Sequence, residues 1–413
     1  MYLRRVHLQN VRSIAELTWE LPERVASAGW HVILGDNGSG KSSFLQAIAL
    51  ALVGPAEAAW LRQSPRRWLR AGTNRAVIRL DAYSADYRAT VPRQSFTLHV
   101  SPTDFSDASR TIVSGASETS GPWFAASYGP FRRFTGGDQD LEKSLTGRPD
   151  LARHVSLFGE AVALTECLAW LQGLKFKLLE DRDEGALLSA VLAFVNQPGF
   201  LPFDVRLVDV TSSGVEIVDG NGFRLPVLDL SDGYRSILSM TFELIRQMAL
   251  TYGSAGLFSP DNTQVARPGV VLIDEIDAHL HPTWQRTIGV WFRKHFPNVQ
   301  FIVSTHSPLI CQAAEVGSVF RLPRPGADPA EDRGEMIHGL ALQRLLYGNV
   351  LDAYGTGVFG EGVTRSDSAQ EKLERLAELN TQELVDTLTA EERQEQTTLR
   401  AMLPTDASET QQP

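Results

Sequence analysis

The segment Gly35-Asp36-Asn37-Gly38-Ser39-Gly40-Lys41-Ser42 constrains this chain more than any other. An apolar run, Trp30-His31-Val32-Ile33-Leu34, leads into it, and a second, Phe44-Leu45-Gln46-Ala47-Ile48-Ala49-Leu50, leads out. A strand, a glycine-rich turn and a helix in that order are the context a phosphate-binding P-loop requires. Glycines let the backbone wrap close to an anion, and the N–H groups of the turn and the helix N-terminus then face it. In such a loop Gly35, Asn37, Gly38, Ser39, Gly40 and Ser43 surround the phosphates. Lys41 reaches the β- and γ-phosphates and the Ser42 hydroxyl ligates Mg²⁺.

Three further stations fit the same chemistry. Val270-Val271-Leu272-Ile273 reads as an apolar strand ending in Asp274-Glu275, a Walker B arrangement. Asp274 is expected to hold Mg²⁺, and Glu275 to polarise the attacking water. Another apolar strand, Gln300-Phe301-Ile302-Val303-Ser304-Thr305, ends at His306, within reach of a γ-phosphate. There it could donate a hydrogen bond and sense hydrolysis. Upstream, Leu230-Ser231-Asp232-Gly233-Tyr234-Arg235-Ser236 precedes an amphipathic run. Ser231 reads as an N-cap and Gly233 as a point of close backbone approach, which gives that helix start an anion-binding character. His279 and His281 have metal-like spacing but no third ligand nearby, so they read as ordinary histidines.

In the order P-loop, signature, Walker B and switch histidine, the chain resembles ABC-type ATPases of the SMC/RecF class. The N-terminal Leu3-Arg4-Arg5-Val6-His7-Leu8-Gln9-Asn10-Val11-Arg12-Ser13-Ile14 resembles the first strand of that class, whose turn lies near the adenine. The resemblance therefore assigns Arg12 and Ser13 to the nucleotide. Residues 272–285 and Ser304-Thr305-His306-Ser307-Pro308 resemble compact stand-alone bacterial AAA-family ATPases related to the OLD and Septu-type anti-phage ATPases. The resemblance covers residues 1–325. It implies an α/β P-loop ABC-type ATPase with a mixed core sheet, an antiparallel β subdomain and an inserted β/helical lobe at about 55–200. It also implies hydrolysis of ATP with Mg²⁺ in a homodimer that sandwiches two nucleotides. Each P-loop would be closed by the partner's signature, so that Ser231 and Gly233 serve the second copy and Asp277 lies at the interface. The chain departs from the family pattern at the signature, where Leu-Ser-Asp-Gly-Tyr replaces Leu-Ser-Gly-Gly-Gln. Asp232 should repel phosphate unless it turns away or meets Arg235, and Tyr234 replaces an amide. The segment 123–130 resembles the strand that feeds a Q-loop but ends without glutamine, leaving Gln139 as the candidate.

The remainder bounds these expectations. Of the 413 residues, 43% are hydrophobic and 21% charged, an ordinary globular balance. No apolar run is long enough to cross a bilayer and no signal peptide is evident, so a cytoplasmic protein without membrane association is expected. Two cysteines, Cys167 and Cys311, exclude a disulfide framework. A net charge of −10 gives no global pull toward nucleic acid. One local exception is 58–80, which carries Arg62, Arg66, Arg67, Arg70, Arg75 and Arg79 with Trp60 and Trp68 interleaved; Arg132 and Arg133 could extend it. No heptad run spans the middle of the chain, where strands are expected at 76–82, 95–100 and 123–128, a helical lobe at 151–196, and a hairpin at 205–218. A C-terminal extension follows at 326–365, then an acidic amphipathic helical tail at 366–413 whose last ten residues, 404–413, read as disordered. The leading functional expectation is an ATP-driven dimerisation switch, or a higher oligomer, controlling a separate effector such as a nuclease in anti-phage defence. The alternative is a RecF-like, ATP-gated DNA-binding repair factor, supported by the Arg-rich stretch alone. A transporter's nucleotide-binding subunit is disfavoured by the variant signature, the first strand and the long middle lobe.

Overall fold

The computed structural model describes residues 1–61, 63–83, 94–112, 123–135, 147–159, 164, 166–180, 182–354, 356, 358–359, 366–384 and 388–403. The chain divides into two compact units, Met1–Tyr347 and Gly348–Pro413.

Among its described residues the first unit contains three sheets. β1 (Tyr2–Val11), β2 (Ile14–Glu20), β4 (Ala76–Tyr83), β5 (Gln94–Val100) and β6 (Phe105–Ile112) form an antiparallel sheet in the order β2-β1-β4-β5-β6. The central sheet has the order β14-β13-β3-β12-β11-β7. In it β3 (Gly29–Leu34), β7 (Ala125–Tyr128), β11 (Gly269–Ile273), β12 (Val299–Thr305) and β13 (Gly317–Arg321) run parallel, and β14 (Glu335–Met336) closes one edge antiparallel. β3, β11 and β12 are buried at every position, as expected for parallel strands covered on both faces.

Helix α1 (Lys41–Val53) explains how the two larger sheets join. Phe44, Leu45, Ala47, Ile48, Ala49 and Leu50 are all buried, so the helix is apolar around much of its circumference rather than along one stripe. Such a helix must be covered from more than one side. It packs on β1, β4 and β5 of the antiparallel sheet and on β7, β11 and β12 of the central sheet, in one continuous core. Its N-terminus is thereby fixed at the carboxyl ends of the parallel strands, where open α/β sheets bind ligands.

The middle of the chain supplies α2 (Glu166–Leu179) and α3 (Ala186–Val195), followed by a small sheet. That sheet has three strands, not the expected hairpin: β8 (Arg206–Thr211) and β9 (Gly214–Val218) are joined by β10 (Arg224–Pro226). Arg224 forms an ion pair with Glu216 across it. Then come α4 (Asp232–Tyr252), α5 (Pro282–His295) and α6 (Gly339–Tyr347). The unit extends beyond residue 325 because β14 pairs with β13. Arg321 also binds Asp332 and Glu335, which ties the intervening loop back to the sheet.

The second unit contains a helical hairpin, α7 (Asp367–Leu384) and α8 (Ala390–Met402). Leu376, Leu379, Leu388 and Leu399 form its small core. Thr389 and Glu392 make a reciprocal capping box at the start of α8. Arg375–Glu395 and Arg400–Glu383 ion pairs join the helices. The expected disorder at 404–413 lies outside the described residues.

Candidate functional site

The loop between β3 and α1 is built for close approach. Gly38 and Gly40 have φ of 83° and 97°, in the left-handed region that favours glycine. A Cβ at Gly35 would stand 2.3 Å from Ser39 Oγ. Ser39 Oγ is buried without a hydrogen-bond partner among the described residues. An orphaned buried hydroxyl within a glycine cradle at a helix N-terminus fits an anionic ligand supplied from outside. Lys41 is 6% exposed and donates to the carbonyls of Gly35 (2.8 Å) and Asp36 (3.0 Å). Burial lowers its pKa, while the carboxylates of Glu275, Asp274, Asp36 and Asp277 favour its charge. Asn37 is exposed, and Ser42 and Ser43 are half-buried on the first turn of α1.

Adjacent strands bring the other groups to the same edge. β12 lies between β3 and β11, so His306, Lys41 and Asp274 all sit just beyond the carboxyl ends of neighbouring parallel strands. His306 Nδ1 is 3.5 Å from Lys41 Nζ. Burial first, and then the Lys41 charge, depress the His306 pKa. A neutral ring that accepts at Nδ1 from Lys41 carries its proton on Nε2, free to donate. Asp274 is 2% exposed. Ser304 Oγ donates to Asp274 Oδ1 and accepts from the Glu275 N–H (2.8 Å), linking β12 to both acids. Thr305 Oγ1 donates to Asp277. The Asp274 carboxylate and the Ser42 hydroxyl are oxygen donors of the kind Mg²⁺ takes, at the edge of the sheet where the phosphate cradle lies.

Arg12 and Ser13 lie on the turn between β1 and β2. A Cβ at Gly40 would meet Ser13 Oγ and Ile14 at 3.3 Å, so this turn borders the P-loop. Arg12 donates to Ser43 Oγ (3.2 Å) and Gln46 Oε1 (2.6 Å). Its guanidinium lies 4.0 Å from the centre of the Trp68 ring, a cation–π contact.

That contact corrects the reading of the Arg-rich stretch. Trp68 is fully buried and serves as the floor under Arg12, so it is not available for stacking on a base. The main chain explains why: Arg12 N–H donates to Trp68 O and Arg70 N–H to Asn10 O, which stitches 68–70 to the end of β1. Arg70 also binds Ser13 O, Arg75 meets His99, and Arg79 meets Asp81. Arg66 and Arg67 remain exposed, as does Trp60, over which Arg148 lies. Arg62 lies outside the described residues.

Arg132 is a second correction. It is 4% exposed, so it cannot extend a surface patch. Its guanidinium donates to the carbonyls of Gly129, Asp274 and Glu275 and to Ser236 Oγ. Burial pushes its pKa down to about 10 despite the nearby carboxylates of Asp274, Asp277 and Glu275, so it stays charged at neutral pH. Gln139 lies outside the described residues.

The signature segment starts α4. Ser231 occupies the N-cap position but its side chain makes no capping bond, and it is exposed. Asp232 turns to Arg235 and forms an ion pair, the escape from phosphate repulsion that the sequence left open. Tyr234 packs on Trp284, with ring centres 5.1 Å apart, and donates to Pro202 O (3.1 Å). Gly233 is buried against the loop that follows Asp277: an added Cβ would sit 2.7 Å from His279 O. Gly233→Ala is therefore expected to lower stability in urea denaturation by about 1–3 kcal/mol, the usual penalty for overpacking. An unchanged midpoint would mean that this approach is not tight. His281 caps α5 by accepting from Thr283 N–H.

Comparison with known proteins places the chain in a family. Residues 31–312, more than half of the chain, match the family described as "AAA domain, putative AbiEii toxin, Type IV TA system". The chain is 25% identical over 321 residues to the Septu protein PtuA of Bacillus mycoides (strain KBAB4), a match covering 77% of this chain and 40% of that protein. It is 40% identical over 107 residues to the "Retron Ec83 probable ATPase" of Escherichia coli, covering 26% of this chain and 18% of the relative. The chain thus spans two fifths or less of the length of these relatives. Among solved structures, the Smc head bound to the C-terminal winged-helix domain of ScpA aligns with a TM-score of 0.50 at 15% identity, over 83% of this chain and 100% of that one. The chain belongs to this AAA-domain family and has the fold of the Smc head.

Proposed function

We propose that this protein is an ATP-driven dimerisation switch that controls a partner effector, a nuclease, in anti-phage defence. The observation that carries the reading is the convergence of Lys41, Asp274, Glu275 and His306 at the carboxyl ends of three neighbouring parallel strands, while Ser231 is exposed at an uncapped helix N-terminus. The phosphates of ATP would lie along the Gly35–Gly40 backbone, with Lys41 leaving the loop carbonyls for the β- and γ-phosphates. Ser42 and Asp274 would hold Mg²⁺, which neutralises phosphate charge when bound. Glu275 would orient the attacking water and accept its proton, and the Nε2–H of neutral His306 would donate to the γ-phosphate. Arg12, Ser13, Asn37, Ser39 and Ser43 complete the nucleotide contacts in this reading. Ser231, Gly233 and Asp277 would face the second copy, whose γ-phosphate supplies the anion that the N-terminus of α4 attracts. The defence role is taken from the likeness to the Septu and retron proteins.

The test is sedimentation of Glu275→Gln with saturating Mg-ATP. A dimer is expected, and Ser231→Arg in the same background should return it to monomer. A Glu275→Gln protein that stays monomeric at every concentration would remove the switch. Exposed Arg66 and Arg67 keep a DNA-gripping reading in second place. Salt-dependent duplex binding that disappears on changing both to Glu would promote it.

A further inference from the structure

Arg132 occupies a position that the catalytic reading does not use. It follows β7, and its planar fork of donors is shared between two parts of the site. Two of its bonds, at 2.8 and 3.0 Å, go to the carbonyls of Asp274 and Glu275. Glu275 has φ of 47°, a left-handed conformation that is strained for a residue with a side chain. That backbone is held from both sides, because its N–H donates to Ser304 Oγ while its carbonyl accepts from Arg132. The Nε of the same guanidinium donates to Ser236 Oγ at 2.9 Å, in the first turns of α4. Ser236 is 1% exposed, so solvent cannot replace that bond freely.

We propose that Arg132 is a positioning residue that couples the two ATP sites of a dimer. One guanidinium fixes the strained Glu275 of its own site and the helix whose start, Ser231, serves the site of the second copy. Its plane is rigid, so a displacement of the Glu275 carbonyl either drags Ser236 along or breaks the bond to it. The state of one nucleotide is thus transmitted to the grip on the other. This inference rests on the ATP-sandwich reading given above.

Ser236→Ala tests it by removing the link to α4 while leaving the bonds to the Asp274 and Glu275 carbonyls in place. In the Glu275→Gln background, dimer affinity in Mg-ATP should fall about tenfold, the scale of one charged hydrogen bond. In the otherwise wild-type chain, the Hill coefficient for ATP hydrolysis should fall to 1. ATP affinity measured at protein concentrations too low for dimerisation should stay within about twofold, because the P-loop contacts are intact. Arg132→Lys keeps the charge but loses the fork, and should reproduce the loss of coupling even if Ser236→Ala folds poorly. Dimer affinity and Hill coefficient both unchanged in these variants would overturn the coupling, with Glu275→Gln alone still dimerising. A monomeric Glu275→Gln parent would overturn the sandwich reading, and the coupling with it.

Discussion

Glu275→Gln is expected to lower kcat for ATP hydrolysis about 10³-fold while ATP remains bound, the scale of a lost general base. The amide matches the carboxylate in shape, and the groups that hold residue 275 act on its backbone: Ser304 Oγ on the N–H and Arg132 on the carbonyl. The substitution therefore leaves the strained backbone in place and removes only the capacity to accept a proton from water. Lys41 loses one favourable carboxylate but keeps Asp274, Asp36 and Asp277. Single-turnover hydrolysis measured beside equilibrium binding of a fluorescent ATP analogue separates the chemical step from affinity. Lys41→Ala is the complementary control and should lose binding itself, since no other cation lies on the Gly35 and Asp36 carbonyls among the described residues. A Glu275→Gln protein that turns over at the wild-type rate would remove Glu275 from the chemistry and leave the water to another group.

The parts of the site that were legible in the sequence are the local ones. A glycine-rich turn between an apolar strand and an apolar helix announces its geometry within a few residues, and so do two acids at the end of an apolar strand. The fold class follows from the same segments, because the parallel strands β3, β11 and β12 are mostly apolar without the alternation of a half-exposed strand. Arg132 was not legible, because apart from the Gly129 carbonyl its partners are backbone carbonyls 142 and 143 residues away and a hydroxyl 104 residues away. A carbonyl has no letter in the sequence, so only the position of an arginine directly after the strand feeding the site could have drawn notice. Trp68 misled for the opposite reason. It lies in a short 3-10 turn, Pro65–Trp68, where neither helical nor strand periodicity tells the inside from the outside. The third strand, β10, was missed because three residues carry too little alternation to register. The helical spacing of leucines near the C-terminus did register, and Leu376 and Leu379 are core residues of the α7–α8 hairpin.

Lowering the pH from 7 to 5 should cost this fold about 4 kcal/mol through two buried histidines. His31 is fully buried; its Nε2 donates to Ser27 O (2.9 Å), and in the neutral ring its Nδ1 accepts from Ser318 Oγ (3.0 Å). His154 Nδ1 accepts from Ser127 Oγ (2.9 Å) beneath β7. Burial holds the first at a pKa of about 4 and the second at about 3, against an ordinary value of 6.5. The sign follows from proton uptake: below 6.5 the unfolded chain binds protons at both positions and the folded chain does not. The stabilisation is therefore complete above 6.5 and declines as the pH falls, until the folded rings titrate near 4 and 3. A pH of 5 lies about 1.5 units below the unfolded pKa of each ring, which is worth about 2 kcal/mol per ring. His295 and His306 are shifted in the same direction and add to the slope. Carboxylates enter later: Asp332, held to about 2 by Arg321, loses its contribution only as the pH falls through and below its ordinary value of 3.8. The window from 7 to 5 thus isolates the histidines. Urea midpoints at both pH values provide the measurement. The pair His31→Gln and His154→Asn, which keep an acceptor for Ser318 and Ser127, should flatten the dependence. Equal midpoints at pH 7 and 5 in the parent chain would mean that these rings reach water or a counter-charge on protonation, and that the core around β3 and β7 opens more readily than its burial implies.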